Sequence, residues 1–177
     1  ASAMLPDGEG ELELAFRQLK EKLENEGLFD IGAKKEIPNL PKKIALVTSA
    51  TSAALQDMLK VVKSRWRLSE IYIFDALTQG ESAPSSLIKA LRRADRYGVD
   101  VIVLARGGGS KEDLWCFNDE GLAREIYATK TPVISAIGHE IDYVISDFVA
   151  DRRSLTPSAA MLDLLPDEEA FFQYLDR

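Results

Sequence analysis

The chain has 177 residues, 46% of them hydrophobic, and a formal charge of −7, which fits one ordinary globular domain with a full core and excludes a disordered chain. A single cysteine, Cys116, excludes an internal disulfide and fits a reducing compartment. No run of about 18 apolar residues is present and "ASAMLPDGEG" has no secretory pattern, so a cytoplasmic protein without a membrane span is expected. The charge sits at the ends. Residues 1–40 and 161–177 each carry −4, leaving 41–160 at +1, neutral enough to hold an anion at one site but not a basic groove.

From Glu11 to Glu26, Leu12, Ala15, Phe16, Leu19 and Leu23 follow helical spacing, and Gly27 ends the pattern. "DIGAKKEIPNLPKK" then reads as a connector, with prolines at 38 and 41. Strands are expected at 43–49, 70–77, 99–106 and 131–138, each so continuously apolar that both faces should be buried. Helices are expected near 52–67, 84–97 and 119–129. Leu55, Met58, Leu59, Val62 and Trp66 form one stripe, and Leu87, Ala90, Leu91 and Ala94 another. A short fifth strand, "DFVADR", and a last helix from about Ser158 complete the pattern. The fold class is α/β: a doubly wound, mainly parallel sheet of about five strands with helices on both faces, plus an N-terminal helix. Three regions are expected: 1–40 as helix and connector, 41–165 as the α/β domain, and 166–177 as the start of a truncated helical region.

Ligands of such sheets bind beyond the carboxyl ends of the strands. That edge would gather "TSATS" (48–52), "TQG" (78–80), "RGGGS" (106–110) and "GHEID" (138–142). Ser49 and Thr51 supply hydroxyls there. Gly107, Gly108 and Gly109 allow close approach of an anion to bare backbone, and Ser110 can donate a further bond. Arg106 adds a planar cationic fork suited to phosphate oxygens. The motif is neither a P-loop nor the dinucleotide fingerprint, and a tight turn with a surface arginine is the plainer alternative. His139, the only histidine, can carry a proton near neutral pH, with Asp142 three residues on to orient it; a capping histidine is the alternative. Glu112 and Asp113 read equally as caps. Trp115 and Phe117 read as core before they read as stacking platforms. By helical pattern Asp57 lies on the solvated face opposite Leu55 and Leu59.

"ARGGGSKEDLWCFN" and "PVISAIGHEIDYVISDFVADRRSLTPSAAMLDL" together resemble the signature of the exodeoxyribonuclease VII large subunit, as do "LAFRQLKEKLENEGLFD" and "VTSATSAALQDMLKVVKSR". The resemblance covers about residues 10 to 165. It implies the catalytic domain of an exodeoxyribonuclease that hydrolyses single-stranded DNA to short oligonucleotides. The implied partners are single-stranded DNA and a small subunit, bound through regions mostly absent from this sequence. It also implies functional roles for Asp57, Arg106, His139 and Asp142. In that reading His139 is base or acid and Asp142 orients it. Arg106 and the N–H groups of the glycine run stabilise the phosphoryl oxygens, and Asp57 positions water or joins Asp142 around a magnesium ion. The family is not uniformly described as needing divalent cations, so a strict Mg2+ requirement does not follow. Ala50, Ser52, Ala105 and Ile141 depart from the family's usual residues. A non-catalytic nucleotide- or phosphate-binding α/β module is the rival reading, distinguished by tolerance of the loss of His139.

Overall fold

The computed structural model describes residues 7–137 and 143–176. Five strands form one all-parallel sheet: β1 (Lys43–Thr48), β2 (Glu70–Asp75), β3 (Val101–Arg106), β4 (Val133–Ile137) and β5 (Arg152–Arg153), in the order β2-β1-β3-β4-β5. Between them run α2 (Ala53–Arg65), α3 (Ala83–Tyr97), α4 (Glu120–Ala128) and α5 (Ile145–Val149). The chain opens with α1 (Asp7–Asn25) and closes with α6 (Pro157–Leu164) and α7 (Glu168–Leu175).

β1, β3 and β4 are buried on both faces, as parallel strands must be when helices cover each side. β2, expected to be equally buried, is not: it is the edge strand, only partly covered, and Glu70, Ile73 and Asp75 are exposed. Alternation divides them between two cores. Ala45, Val47, Ile102 and Leu104 pack with α1, α3, α4 and α5, where Leu23, Leu87, Leu91, Leu122 and Ile126 are fully enclosed. Ile44, Leu46, Val101 and Val103 face α2 and α6, against Met58, Val62, Ala160 and Met161. The N-terminal helix therefore belongs to this core through Leu23, with Phe16 and Leu19 beside it. α7 reaches α2 through Phe171, whose ring stands edge-on to Trp66 with centroids 5.2 Å apart.

Local chemistry fixes the helix ends. Ser52 caps α2 by accepting from Leu55 N–H at 3.1 Å, and Asp119 caps α4 by accepting from Leu122 N–H at 2.9 Å. α3 stops at Gly98, whose φ of 86° is the left-handed region that glycine enters without a Cβ penalty. "DFVADR" is not one strand. Its first residues belong to the single turn α5, because Asp147 accepts from Val144 N–H at 2.9 Å and nucleates a helical turn; only Arg152 and Arg153 pair with β4, opposite Ile134 and Ser135.

Candidate active-site edge

In a 2-1-3-4-5 sheet the chain leaves β1 in one direction and β3 in the other, and the crevice between those two exits is the usual ligand position. Here the loop 49–52 follows β1 and the glycine run 107–109 follows β3. Ser49 and Thr51 present their hydroxyls 3.3 Å apart. Their loop is held by Ser52 Oγ donating to Ser49 O at 2.7 Å and by Ala50 N–H donating to Asp75 Oδ1, at the end of β2, at 2.8 Å. Beneath them Thr48 is fully buried, and its hydroxyl has no hydrogen-bond partner.

Arg106 ends β3 and turns its guanidinium across two loops. Nε donates to Thr78 O at 3.1 Å and Nη2 to Gln79 Oε1 at 2.9 Å. Nη1 donates to Gly107 O at 2.7 Å and Gly108 O at 3.2 Å. It is thus the carbonyls of the glycine run that face this cation. The run requires no left-handed backbone, since the described glycines with positive φ are Gly27, Gly80 and Gly98. What it supplies is space: a Cβ on Gly109 would lie 2.6 Å from Arg106 Nη1. All of these acceptors are neutral, so the arginine is anchored without a countercharge from them and its field remains available to an anion.

Ser110 and Asp113 close the turn that follows. Asp113 N–H donates to Ser110 Oγ at 3.2 Å, and Ser110 N–H to Asp113 Oδ2 at 3.4 Å, a reciprocal capping pair. Phe117 is fully buried, while Trp115 is half-buried. Cys116 donates weakly to the same Thr78 carbonyl, at 3.4 Å. Burial pushes its thiol up to about 11, against the opposing pull of the Arg106 charge, so it stays protonated at neutral pH and is no nucleophile.

Asp57 sits in the second turn of α2 and is exposed, on the face the helical pattern gives it. His139 and Asp142 lie outside the described residues. Ser135 on β4 donates to Asp147 Oδ1 at 2.8 Å, Val144 N–H donates to Asp147 Oδ2, and Arg153 Nε lies 3.5 Å from the same oxygen. One carboxylate therefore ties the strand before residues 138–142 to the segment after them. Burial raises the Asp147 carboxyl above its ordinary value, outweighing the Val144 N–H, the Ser135 hydroxyl and the Arg153 charge. Thr78, Gln79, Asn118 and Asp147 are the residues that sequence reasoning missed. The first two lie in the "TQG" stretch assigned to this edge, and nothing in spacing marks the others.

Fold and edge together define a doubly wound α/β domain with an arginine beside its crevice whose hydrogen-bond partners among the described residues are all neutral. The family model for exonuclease VII, large subunit, matches residues 28–177, and the chain belongs to that family. It is 67% identical over 176 residues to the exodeoxyribonuclease 7 large subunit of Campylobacter fetus subsp. fetus, covering 99% of this chain and 46% of that protein. The corresponding subunits of Campylobacter lari and Campylobacter jejuni (strain RM1221) are 62% and 60% identical over 177 residues, again covering 99% of this chain and 46% of each relative. The chain thus spans about half the length of the curated relatives it matches. Among solved structures, a 1,3-propanediol oxidoreductase aligns at 21% identity and a TM-score of 0.35, over 55% of this chain and 28% of that one, a likeness too slight to carry any inference.

Proposed function

We propose that this domain hydrolyses phosphodiester bonds of single-stranded DNA as the catalytic part of an exodeoxyribonuclease VII, acting with a small subunit in the cytoplasm and releasing short oligonucleotides. The observation that carries this reading is Arg106: a cation anchored, among the described residues, by neutral oxygens alone, at the sheet's switch point, in a chain of the exonuclease VII large-subunit family.

The chemistry assigns each residue one task. A water oxygen forms a bond to phosphorus as the bond to the leaving sugar oxygen breaks. His139 takes the proton from that water or delivers one to the leaving oxygen, and Asp142 holds the imidazole in the required orientation. Arg106 offsets the negative charge that grows on the non-bridging oxygens. Gly107 to Gly109 keep the approach free of side chains, and Ser49, Thr51 and Ser110 line it with donors. Asp57 stands on the neighbouring helix to orient water. Among the described residues no three His, Cys, Asp or Glu side chains come together as a metal site. Asp57 and Asp142 are the carboxylates that would hold a magnesium ion, together with phosphate oxygens of the substrate, and the ion would supply charge stabilisation there; no step is routed through it.

The test is His139→Ala in the complete two-subunit enzyme, with turnover and binding of a single-stranded oligonucleotide measured side by side. The rate should fall by about 10²–10⁴, the usual worth of a positioned acid or base, while binding persists. Near-normal turnover would overturn the catalytic reading and leave a phosphate-binding module.

A further inference from the structure

Helix α3 carries four basic residues and one acid in a chain whose total charge is −7. Lys89, Arg92, Arg93 and Arg96 fall at i, i+3, i+4 and i+7, so they share one face. All four are exposed, and with Ser86 they line a groove of about 360 Å³. The one acid of the helix, Asp95, is turned away from it: its carboxylate accepts from Thr131 N–H at 3.0 Å, Thr131 Oγ1 at 2.8 Å and Lys130 N–H at 3.3 Å. Among the described residues one carboxylate pairs with the groove, Glu125 of α4, bonded to Arg92. The near-neutral charge of residues 41–160, from which no basic groove is expected, conceals this stripe, because net charge sums acids and bases without regard to where they lie.

The groove is continuous with the edge that holds Arg106. Its upper end, Ser86, accepts from Leu77 N–H at 2.9 Å, and Arg93 Nη2 approaches Asp75 O at 3.5 Å. The next residues of that loop, Thr78 and Gln79, are the ones that hold the Arg106 guanidinium. A chain of phosphates running from Arg106 over the 76–79 loop would therefore enter a row of cations.

We infer that the groove lined by Lys89, Arg93 and Arg96 binds the sugar-phosphate backbone of the single strand just outside the reaction centre. This inference rests on the nuclease reading and adds to it the path of the strand on this domain. A row of separated point charges along one helix suits a repeating polyanion. Exposed lysine and arginine heads neutralise phosphates without reading bases, so binding here is sequence-independent and salt-sensitive.

The experiment uses the complete two-subunit enzyme carrying Lys89→Ala, Arg93→Ala and Arg96→Ala together. Affinity for a single-stranded oligonucleotide is measured between 50 and 200 mM salt. Each phosphate contact on a single strand contributes about 0.7 to the slope of log affinity against log salt. Loss of three should reduce that slope by about 2, so the variant should lose about twentyfold less affinity than the native enzyme across this range. KM for the oligonucleotide should rise in parallel. Lys60→Ala with Lys63→Ala, on α2 in the opposite helical layer, should leave the slope unchanged. Arg93→Lys with Arg96→Lys should retain it, since charge is what matters here, and thermal unfolding of each variant reports on folding. An unchanged slope and KM in a folded triple variant would overturn the groove assignment. So would an equal change in the α2 control. Either result leaves the nuclease reading standing, because that reading fails on His139→Ala alone.

Discussion

Asn118 Oδ1 accepts the N–H of Ile145 at 2.8 Å, joining the 3-10 turn Trp115–Asn118 to the first residue of α5. Asn118 is 9% exposed and Ile145 fully buried, so no solvent replaces this bond if it is lost. The contact spans two candidate elements: the turn descends from the glycine run after Arg106, and α5 follows residues 138–142.

Asn118→Ala should therefore leave a buried N–H without an acceptor, at a cost of about 1–3 kcal/mol. Urea unfolding should show a lower midpoint with an unchanged slope, the sign of lost stability in an otherwise similar native state. An unchanged midpoint would show that the Ile145 N–H finds another acceptor.

Asp147 makes a pH-dependent case. Its folded carboxyl titrates above the ordinary 3.8 because of burial. A raised carboxylate pKa means the fold prefers the protonated form. Its contribution to stability is full below the unfolded pKa and is lost as pH rises through the folded one. Asp147→Asn removes that titration while an amide can still accept from Val144 N–H and meet Ser135 Oγ. Relative to the native chain, the variant should gain stability as pH rises from about 3 to 7. A stability difference independent of pH, measured by chemical unfolding across this range, would contradict the direction of the shift.

The main elements were legible because their signals are long. β1, β3 and β4 are unbroken apolar runs, and the stripe Leu55, Met58, Val62 and Trp66 buries as its spacing requires. α5 was not legible. Five residues are too few to show a helical period, and what makes Ile145–Val149 turn is one carboxylate reaching back to Val144 N–H. The N-terminal start of α1 at Asp7, four residues before Glu11, was hidden for another reason: "DGEG" has no apolar residue to mark a face. At the edge, the position of Arg106 and the glycine run followed from topology. Their contact did not, since pattern gives no hint that the guanidinium would fold back over Gly107 and Gly108 to reach Thr78 and Gln79.

That fold-back makes the glycines unequal, although the sequence presents them as a run. A methyl group on Gly109 would lie 2.6 Å from Arg106 Nη1, whereas one on Gly107 meets nothing within 4 Å. Neither has the positive φ that would strain alanine. The clash at Gly109 is with the end of a flexible side chain, so Gly109→Ala should cost stability little, within about 1 kcal/mol. The guanidinium, however, must leave the Thr78 and Gln79 oxygens or shift relative to them. A displacement of about 1 Å in a charge-stabilising group can cost about 10²-fold in rate, so turnover of a single-stranded oligonucleotide by the complete enzyme should fall about 10–100-fold in Gly109→Ala. Gly107→Ala should lose less than a tenth as much, because it leaves Arg106 where it is. If the two alanines prove equally harmful, the run serves close approach of the substrate itself and not the seating of Arg106. If both are harmless, Arg106 is not held in the position its hydrogen bonds define.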